Sequence, residues 1–133
     1  NGIITDKPQC LNLDDAETRD DGVPDFQSVV IDCPTAFGNE GNITVGEITT
    51  LWNLGANNDE NFSNSLTNGF INGANETGVT AFTDASIQTV AFIGAVEEGA
   101  TPWTQDWTCG LFGSDEQDTG NAALSCLVTP FYG

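Results

Sequence analysis

The stretch Gln27-Ser28-Val29-Val30-Ile31-Asp32-Cys33 predicts a β-strand, because it is rich in β-branched residues and lies between turn-forming segments. Runs of similar composition, bounded by Gly, Asn or Pro, predict further strands at 42–51, 78–82, 86–96 and 122–132. We therefore expect a mainly β fold, an antiparallel β-sandwich or barrel-like domain with two disulfides and at most one short helix. A β-solenoid is the alternative.

The expected helix covers residues 59–67, where apolar side chains recur at helical spacing. Asn58 or Asp59 is its predicted cap, and Gly69 is its predicted stop. The pairs Asn68-Gly69 and Asn72-Gly73 follow as successive turn signals.

Cys33 is one of four cysteines that form two sequence-local pairs. Their even number and the absence of a CxxC motif favour two disulfides over a zinc site. Four cysteines allow three connectivities, and locality favours Cys10 with Cys33 and Cys109 with Cys126. Disulfides indicate an oxidising compartment, so we expect a secreted, extracellular or cell-surface protein. Because the chain begins at Asn1, we also expect a mature chain left by signal or precursor cleavage.

The domain organisation expected from length is a single secreted domain over residues 1–133, with an acidic, turn-rich N-terminal segment at 1–25. The sequence contains no apolar stretch of about 18 residues, so we expect no membrane insertion.

The charge of the chain is strongly negative, with 20 Asp and Glu, no His, and Lys7 and Arg19 as the two cations, for a formal net charge of −18. Such a field repels nucleic acid and anionic lipid, and no basic patch exists to release counterions. Imidazole catalysis is excluded as well. Enzymatic activity is therefore uncertain and disfavoured, and a carboxylate-based hydrolase remains as an alternative.

One acidic motif has the residue type that calcium prefers. Asp20, Asp21 and Asp25 lie in an Asp-Asp-Gly-Val-Pro-Asp stretch that resembles the Asp-rich calcium loops of thrombospondin type 3 repeats. The resemblance implies Ca²⁺ as a cofactor held by these three carboxylates. A solvated acidic loop is the alternative.

Three tryptophans are candidate ligand-binding residues. Trp52, Trp103 and Trp107, beside many amide side chains, are typical of domains that stack sugar rings on indoles. The alternative is that most of them fill the core.

A longer motif lies near the C-terminus, where Phe92-Ile93-Gly94-Ala95-Val96 is followed by Trp103-Thr104-Gln105-Asp106-Trp107-Thr108. It resembles an Ile-Gly-Ala-Val and Trp-Thr-x-x-Trp-Thr signature of uncharacterised secreted or surface proteins of Gram-negative bacteria. The resemblance covers about a quarter of the chain and implies an extracellular bacterial origin without an activity.

These observations favour an extracellular structural or interaction protein, a cell-surface or filament assembly subunit without catalytic activity. Apolar segments near both ends provide the assembly candidates Ile3, Ile4, Phe131 and Tyr132, which we expect to pair with the sheet edge of a neighbour. Pairing within their own domain is the alternative. The expected partners are further copies of the chain or other surface proteins. The alternative hypothesis is a carbohydrate-binding module that holds glycans.

Overall fold

The computed structural model describes residues 1–86, 88–101 and 103. Within them lie four short strands and three short helices. In chain order these are β1 (Gly2–Thr5), β2 (Gln9–Asn12), α1 (Ala16–Asp20), β3 (Val29–Asp32), β4 (Thr35–Gly38), α2 (Val45–Trp52) and α3 (Ala74–Thr77).

The strands form two parallel pairs. β1 lies beside β3, with Gly2 opposite Val29 and Thr5 opposite Asp32. β2 lies beside β4, with Leu11 opposite Phe37. The chain therefore makes one turn through β1 and β2, returns through α1, and lays a second turn through β3 and β4 on the first. Isolated bridges extend this stacking, because Val30 also pairs with Asp59 and Ile71 pairs with Val96.

The predicted antiparallel β-sandwich or barrel-like fold is wrong. Both strand pairs are parallel, each sheet has two strands, and neither closes into a barrel. The expectation of at most one short helix is also wrong, since three helices are found. The alternative, a β-solenoid, requires strands that stack in parallel. Within the described residues, however, the parallel pairing is limited to two strand pairs and isolated bridges.

A disulfide joins Cys10 of β2 to Cys33, the residue that follows β3. It is the N-terminal pair of the connectivity favoured by sequence, and it crosslinks the two stacked turns. Cys109 and Cys126 lie outside the described residues.

The core lies between the stacked strands and α2. Its buried cluster, called the Trp52 cluster below, consists of Ile31, Phe37, Ile43, Ile48 and Trp52. Phe26 and Phe37 both place their ring centroids 5.4 Å from that of Trp52, in tilted and edge-on arrangements that aromatic pairs favour.

β3 is buried on both faces, as strands of parallel sheets usually are. Ile31 faces the Trp52 cluster, while Val30 points the opposite way and is equally buried. Ser28, just before the strand, is also buried and donates its hydroxyl to the Thr80 carbonyl at 2.7 Å. The prediction of a strand at 27–33 is confirmed.

α2 occupies most of the segment 42–51, for which a strand was predicted. Thr44 begins the helix as its N-cap, and Glu47 completes a capping box by accepting the Thr44 N–H at 2.8 Å. Ile48, Leu51 and Trp52 follow at helical spacing and are all buried. The capping box and the buried apolar face therefore stabilise a helix here despite the β propensity of its Val, Ile and Thr residues.

The other predicted elements also differ from the structure. Residues 59–67 form no helix, and 78–82 and the described part of 86–96 form no strand. The predicted strand at 122–132 lies outside the described residues. The elements and contacts above all belong to the first of two compact units, residues 1–99 and 100–133.

Candidate functional site: the outer edge of β1

β1 is an edge strand among the described residues. It has β3 on one side, and no strand or bridge lies on its other side within the described part of the chain. The Gly2 N–H donates to the Ser28 carbonyl at 3.0 Å, so Gly2 and Ile4 direct their backbone groups toward β3. Because alternate residues of a strand bond to opposite sides, Ile3 and Thr5 direct theirs outward. This outer edge therefore presents backbone donors and acceptors to another strand.

The two isoleucine candidates of β1 use their side chains inside the domain. Ile4 packs against the Trp52 cluster. Ile3 lies on the other face, where its Cδ1 is 2.8 Å from the position that a Cβ on Gly94 would take. Gly94 has a φ of +78° and leaves the room that Ile3 fills. β1 therefore offers a partner its backbone and not these two side chains. The other two assembly candidates, Phe131 and Tyr132, lie outside the described residues.

A cleft of about 430 Å³ opens where β1 and β3 end. Asp32 organises one wall, because its Oδ2 accepts the backbone N–H of Asn64 at 2.8 Å and the Asn64 side-chain amide at 2.6 Å. The same amide donates to the Thr5 hydroxyl at 3.1 Å. The cleft is lined by Thr5, Asp6, Lys7, Pro8, Asp32, Pro34 and Asn64.

Two consecutive residues of opposite charge, Asp6 and Lys7, also line the cleft. Asp6 has a φ of 62°, a left-handed backbone conformation that is uncommon for a residue with a side chain. Lys7 follows and is exposed. The cleft combines carboxylates, an ammonium, a hydroxyl and an amide, so it can exchange hydrogen bonds with polar groups of a partner at the end of the β1 edge.

The calcium candidates do not converge. Arg19 donates to both carboxylate oxygens of Asp20, at 2.5 and 2.7 Å, and this hydrogen bonding lowers the pKa of Asp20 below its usual value. Asp25 accepts the Gln27 amide at 2.7 Å, and Asp21 is exposed. Across residues 1–86, 88–101 and 103, no three acidic, Cys or His side chains are grouped so as to hold a metal ion together. Calcium at this loop stays a prediction.

The tryptophan candidates divide sharply. Trp52 is fully buried and donates its indole N–H to Glu60 at 3.2 Å, so it belongs to the core and not to a ligand surface. Trp103 is 70% exposed. Trp107 lies outside the described residues.

A buried carboxylate lies elsewhere in the unit, at Glu76 of α3. Burial acts to raise its pKa, but hydrogen bonds from the Ser65 hydroxyl, the Ser65 N–H and the Gly73 N–H lower the pKa below the usual value. Nearby Asn72 is buried as well, and its Oδ1 has no hydrogen-bond partner among the described residues.

None of the helices in the described part of the chain is long and apolar enough to cross a bilayer. No family model, no curated protein and no solved structure matches this chain. The resemblance of residues 92–108 to a bacterial surface signature therefore stays a prediction. In its first part, Ile93 and Val96 are buried, and the segment forms no strand.

Sequence reasoning singled out Ile3 and Ile4 but missed the cleft beside them. Thr5 and Asp32 each end a strand, and polar residues at strand ends are a usable signal. Asn64 had no such signal, because only the folding of residues 59–67 against β3 brings its amide to Asp32.

Proposed function

We propose that this chain is an extracellular structural or interaction protein that associates with further copies of itself through the outer edge of β1. The observation that carries the proposal is the outward-facing backbone of Ile3 and Thr5, which has no strand neighbour among the described residues. A strand edge without a neighbouring strand pairs readily with another strand.

The composition of the chain supports the same function. With no His and one residue each of Lys and Arg, the polar groups that remain for recognition are carboxylates, amides, hydroxyls and backbone. A charge of −18 on each copy opposes close approach, and salt screens such repulsion beyond about 8 Å at physiological ionic strength. Association should therefore strengthen as salt is raised.

The test replaces Ile3 with proline and compares it with Ile3→Ala. Proline removes the outward N–H and is tolerated where that N–H faces away from the neighbouring strand. Alanine loses the same side-chain packing but keeps the donor. We expect sedimentation velocity across protein and salt concentrations to show oligomers for the natural chain and for Ile3→Ala, and monomers for Ile3→Pro.

Electron microscopy of the same samples distinguishes filaments from closed oligomers, and circular dichroism checks that both variants are folded. Monomeric natural protein under every condition would overturn the proposal. Equal association of the alanine and proline variants would place the contact elsewhere.

A further inference from the structure

The chain contains three Asn-Gly pairs, Asn1-Gly2, Asn68-Gly69 and Asn72-Gly73. In such a pair the backbone nitrogen of the glycine can attack the side-chain amide carbon of the asparagine, because glycine has no side chain to hinder the approach. The reaction requires both groups to be free to move, so the fold decides which pair reacts.

Two of the pairs are held at both reacting groups. Asn72 is 1% exposed and donates its amide to the Ile93 carbonyl at 2.7 Å, while the Gly73 N–H donates to the Glu76 carboxylate at 2.9 Å. Asn1 exchanges two hydrogen bonds with the Phe82 backbone, at 2.9 and 2.6 Å. The Gly2 N–H is engaged by the Ser28 carbonyl at 3.0 Å.

The third pair is open. Asn68 and Gly69 are both exposed and occupy the centre of a tight turn, with φ values of 54° and 76° that match a type I′ turn. The Phe70 N–H donates a hydrogen bond to the Thr67 carbonyl at 3.3 Å and so closes the turn. Among the described residues, neither the Asn68 side chain nor the Gly69 N–H has a hydrogen-bond partner, and a Cβ on Gly69 would meet nothing within 4 Å.

We propose that Asn68 is a site of spontaneous, fold-selected deamidation. The Gly69 backbone nitrogen loses its proton and bonds to the Asn68 side-chain carbonyl carbon, and the bond from that carbon to the amide nitrogen breaks. Ammonia leaves and a cyclic imide remains. Water then opens the ring at either carbonyl, which yields aspartate or isoaspartate and adds one negative charge.

The isoaspartate product changes the turn as well as the charge, since it inserts a methylene into the backbone. Thr67 and Ile71 bridge the turn through hydrogen bonds of 2.7 and 3.0 Å, and Ile71 continues to Val96. The modification therefore loosens the turn that joins Thr67 to Ile71.

The test follows the three sites in one sample of folded protein kept in mildly alkaline buffer. Chymotryptic cleavage after Phe62, Phe70 and Phe82 places Asn68 and Asn72 on separate peptides. Mass spectrometry then measures the conversion of each amide to an acid, and a protein isoaspartyl methyltransferase labels the isoaspartate. We expect conversion at Asn68 to exceed that at Asn1 and Asn72 by at least tenfold.

Two controls separate chemistry from fold. The Asn68→Gln variant should lose the isoaspartate label on that peptide, because its longer side chain closes a ring slowly. In urea, all three pairs of the natural chain should react at similar rates. Faster conversion at Asn72 or Asn1 than at Asn68 in folded protein would overturn the proposal, as would equal conversion at all three.

Discussion

Glu76 is the residue whose environment departs most from that of a surface carboxylate. It is fully buried, and no cation pairs with it among the described residues. Ser65 and Gly73 instead supply one hydroxyl and two backbone N–H donors, at 2.7 to 2.9 Å. A carboxylate with three such donors remains charged in the interior because most of the lone pairs that lose water gain a hydrogen bond.

We expect Glu76→Gln to lower the free energy of unfolding by about 2 kcal/mol, because an amide nitrogen then faces donors that had an acceptor. Urea denaturation measures the loss. The matched control is Glu97→Gln, which removes the same charge from an exposed position and should leave stability nearly unchanged. Equal effects of the two variants would show that net charge and not hydrogen bonding is responsible.

Glu76 also makes the free energy of unfolding depend on pH. The pKa of Glu76 is lowered in the folded state, so its contribution is present above the ordinary glutamate pKa. It is lost as the pH falls through the lowered folded-state value. We therefore expect the stability difference between the natural chain and Glu76→Gln to shrink on acidification over that window, with the other carboxylates cancelling in the difference.

Single residues also show where sequence patterns stop being informative. Asn68-Gly69 was predicted as a turn and forms one, since both residues tolerate positive φ. Trp52 was a ligand candidate, but it is buried. Nothing in its immediate sequence distinguishes an indole on a surface from one that Phe26 and Phe37 cover, because those rings come from distant segments.

Among the elements, α2 depends on its first turn. Thr44 accepts the Glu47 N–H at 3.3 Å, and the Glu47 side chain accepts the Thr44 N–H in return. Arg19 also donates to Glu47, and the Thr44 hydrogen bonds followed by this contact lower the pKa of Glu47. The helix needs this support because its interior contains the β-branched Val45, Ile48, Thr49 and Thr50.

We expect Thr44→Ala to lower the free energy of unfolding by about 1 kcal/mol through loss of the N-cap. Thr50→Ala is the matched control, since Thr50 lies in the same helix and its hydroxyl returns to the Gly46 carbonyl at 2.8 Å. That substitution should be neutral or slightly stabilising, because alanine has the higher helix propensity. Thermal denaturation of both variants decides the matter, and a larger loss at Thr50 would contradict the capping argument.

The Thr44-to-Glu47 spacing is a sequence signal for a helix start, although the β propensity of residues 42–51 favours a strand. Helical spacing of Ile48, Leu51 and Trp52 agrees with it. By contrast, the absence of a helix at 59–67 could not be anticipated locally. The Asp59 N–H donates to the Val29 carbonyl at 3.1 Å, and the Asp59 carbonyl accepts the Ile31 N–H at 2.8 Å. The Phe62 N–H donates to the Ile31 carbonyl at 3.1 Å, so these bonds hold the segment in an extended conformation along the edge of β3.

At the scale of the whole molecule, the Cys10–Cys33 disulfide links the two stacked turns. Its cysteines are separated by 23 positions, and both pack against the Trp52 cluster. Because the disulfide closes a loop of this length, it restricts the unfolded chain and so stabilises the two stacked turns.

Replacing both Cys10 and Cys33 with alanine should lower the free energy of unfolding by about 3 kcal/mol, as expected for a loop of this length. Guanidinium denaturation measures the change. The slope of the transition should rise at the same time, because the unfolded chain becomes more expanded. An unchanged midpoint would mean that the parallel turns are maintained by their packing alone.

The sequence by itself determined the properties that depend on composition or on neighbouring residues: the charge of −18, the strand at 27–33 and the turn at Asn68-Gly69. It favoured the pairing of Cys10 with Cys33 by locality, and the structure contains that disulfide. Only the tertiary structure decided that the strands pair in parallel, that Trp52 is core, and that Asn72 is shielded while Asn68 is open. The physical reason is that strand partners and burial come from contacts between segments far apart in the chain, and local propensity carries no information about their register.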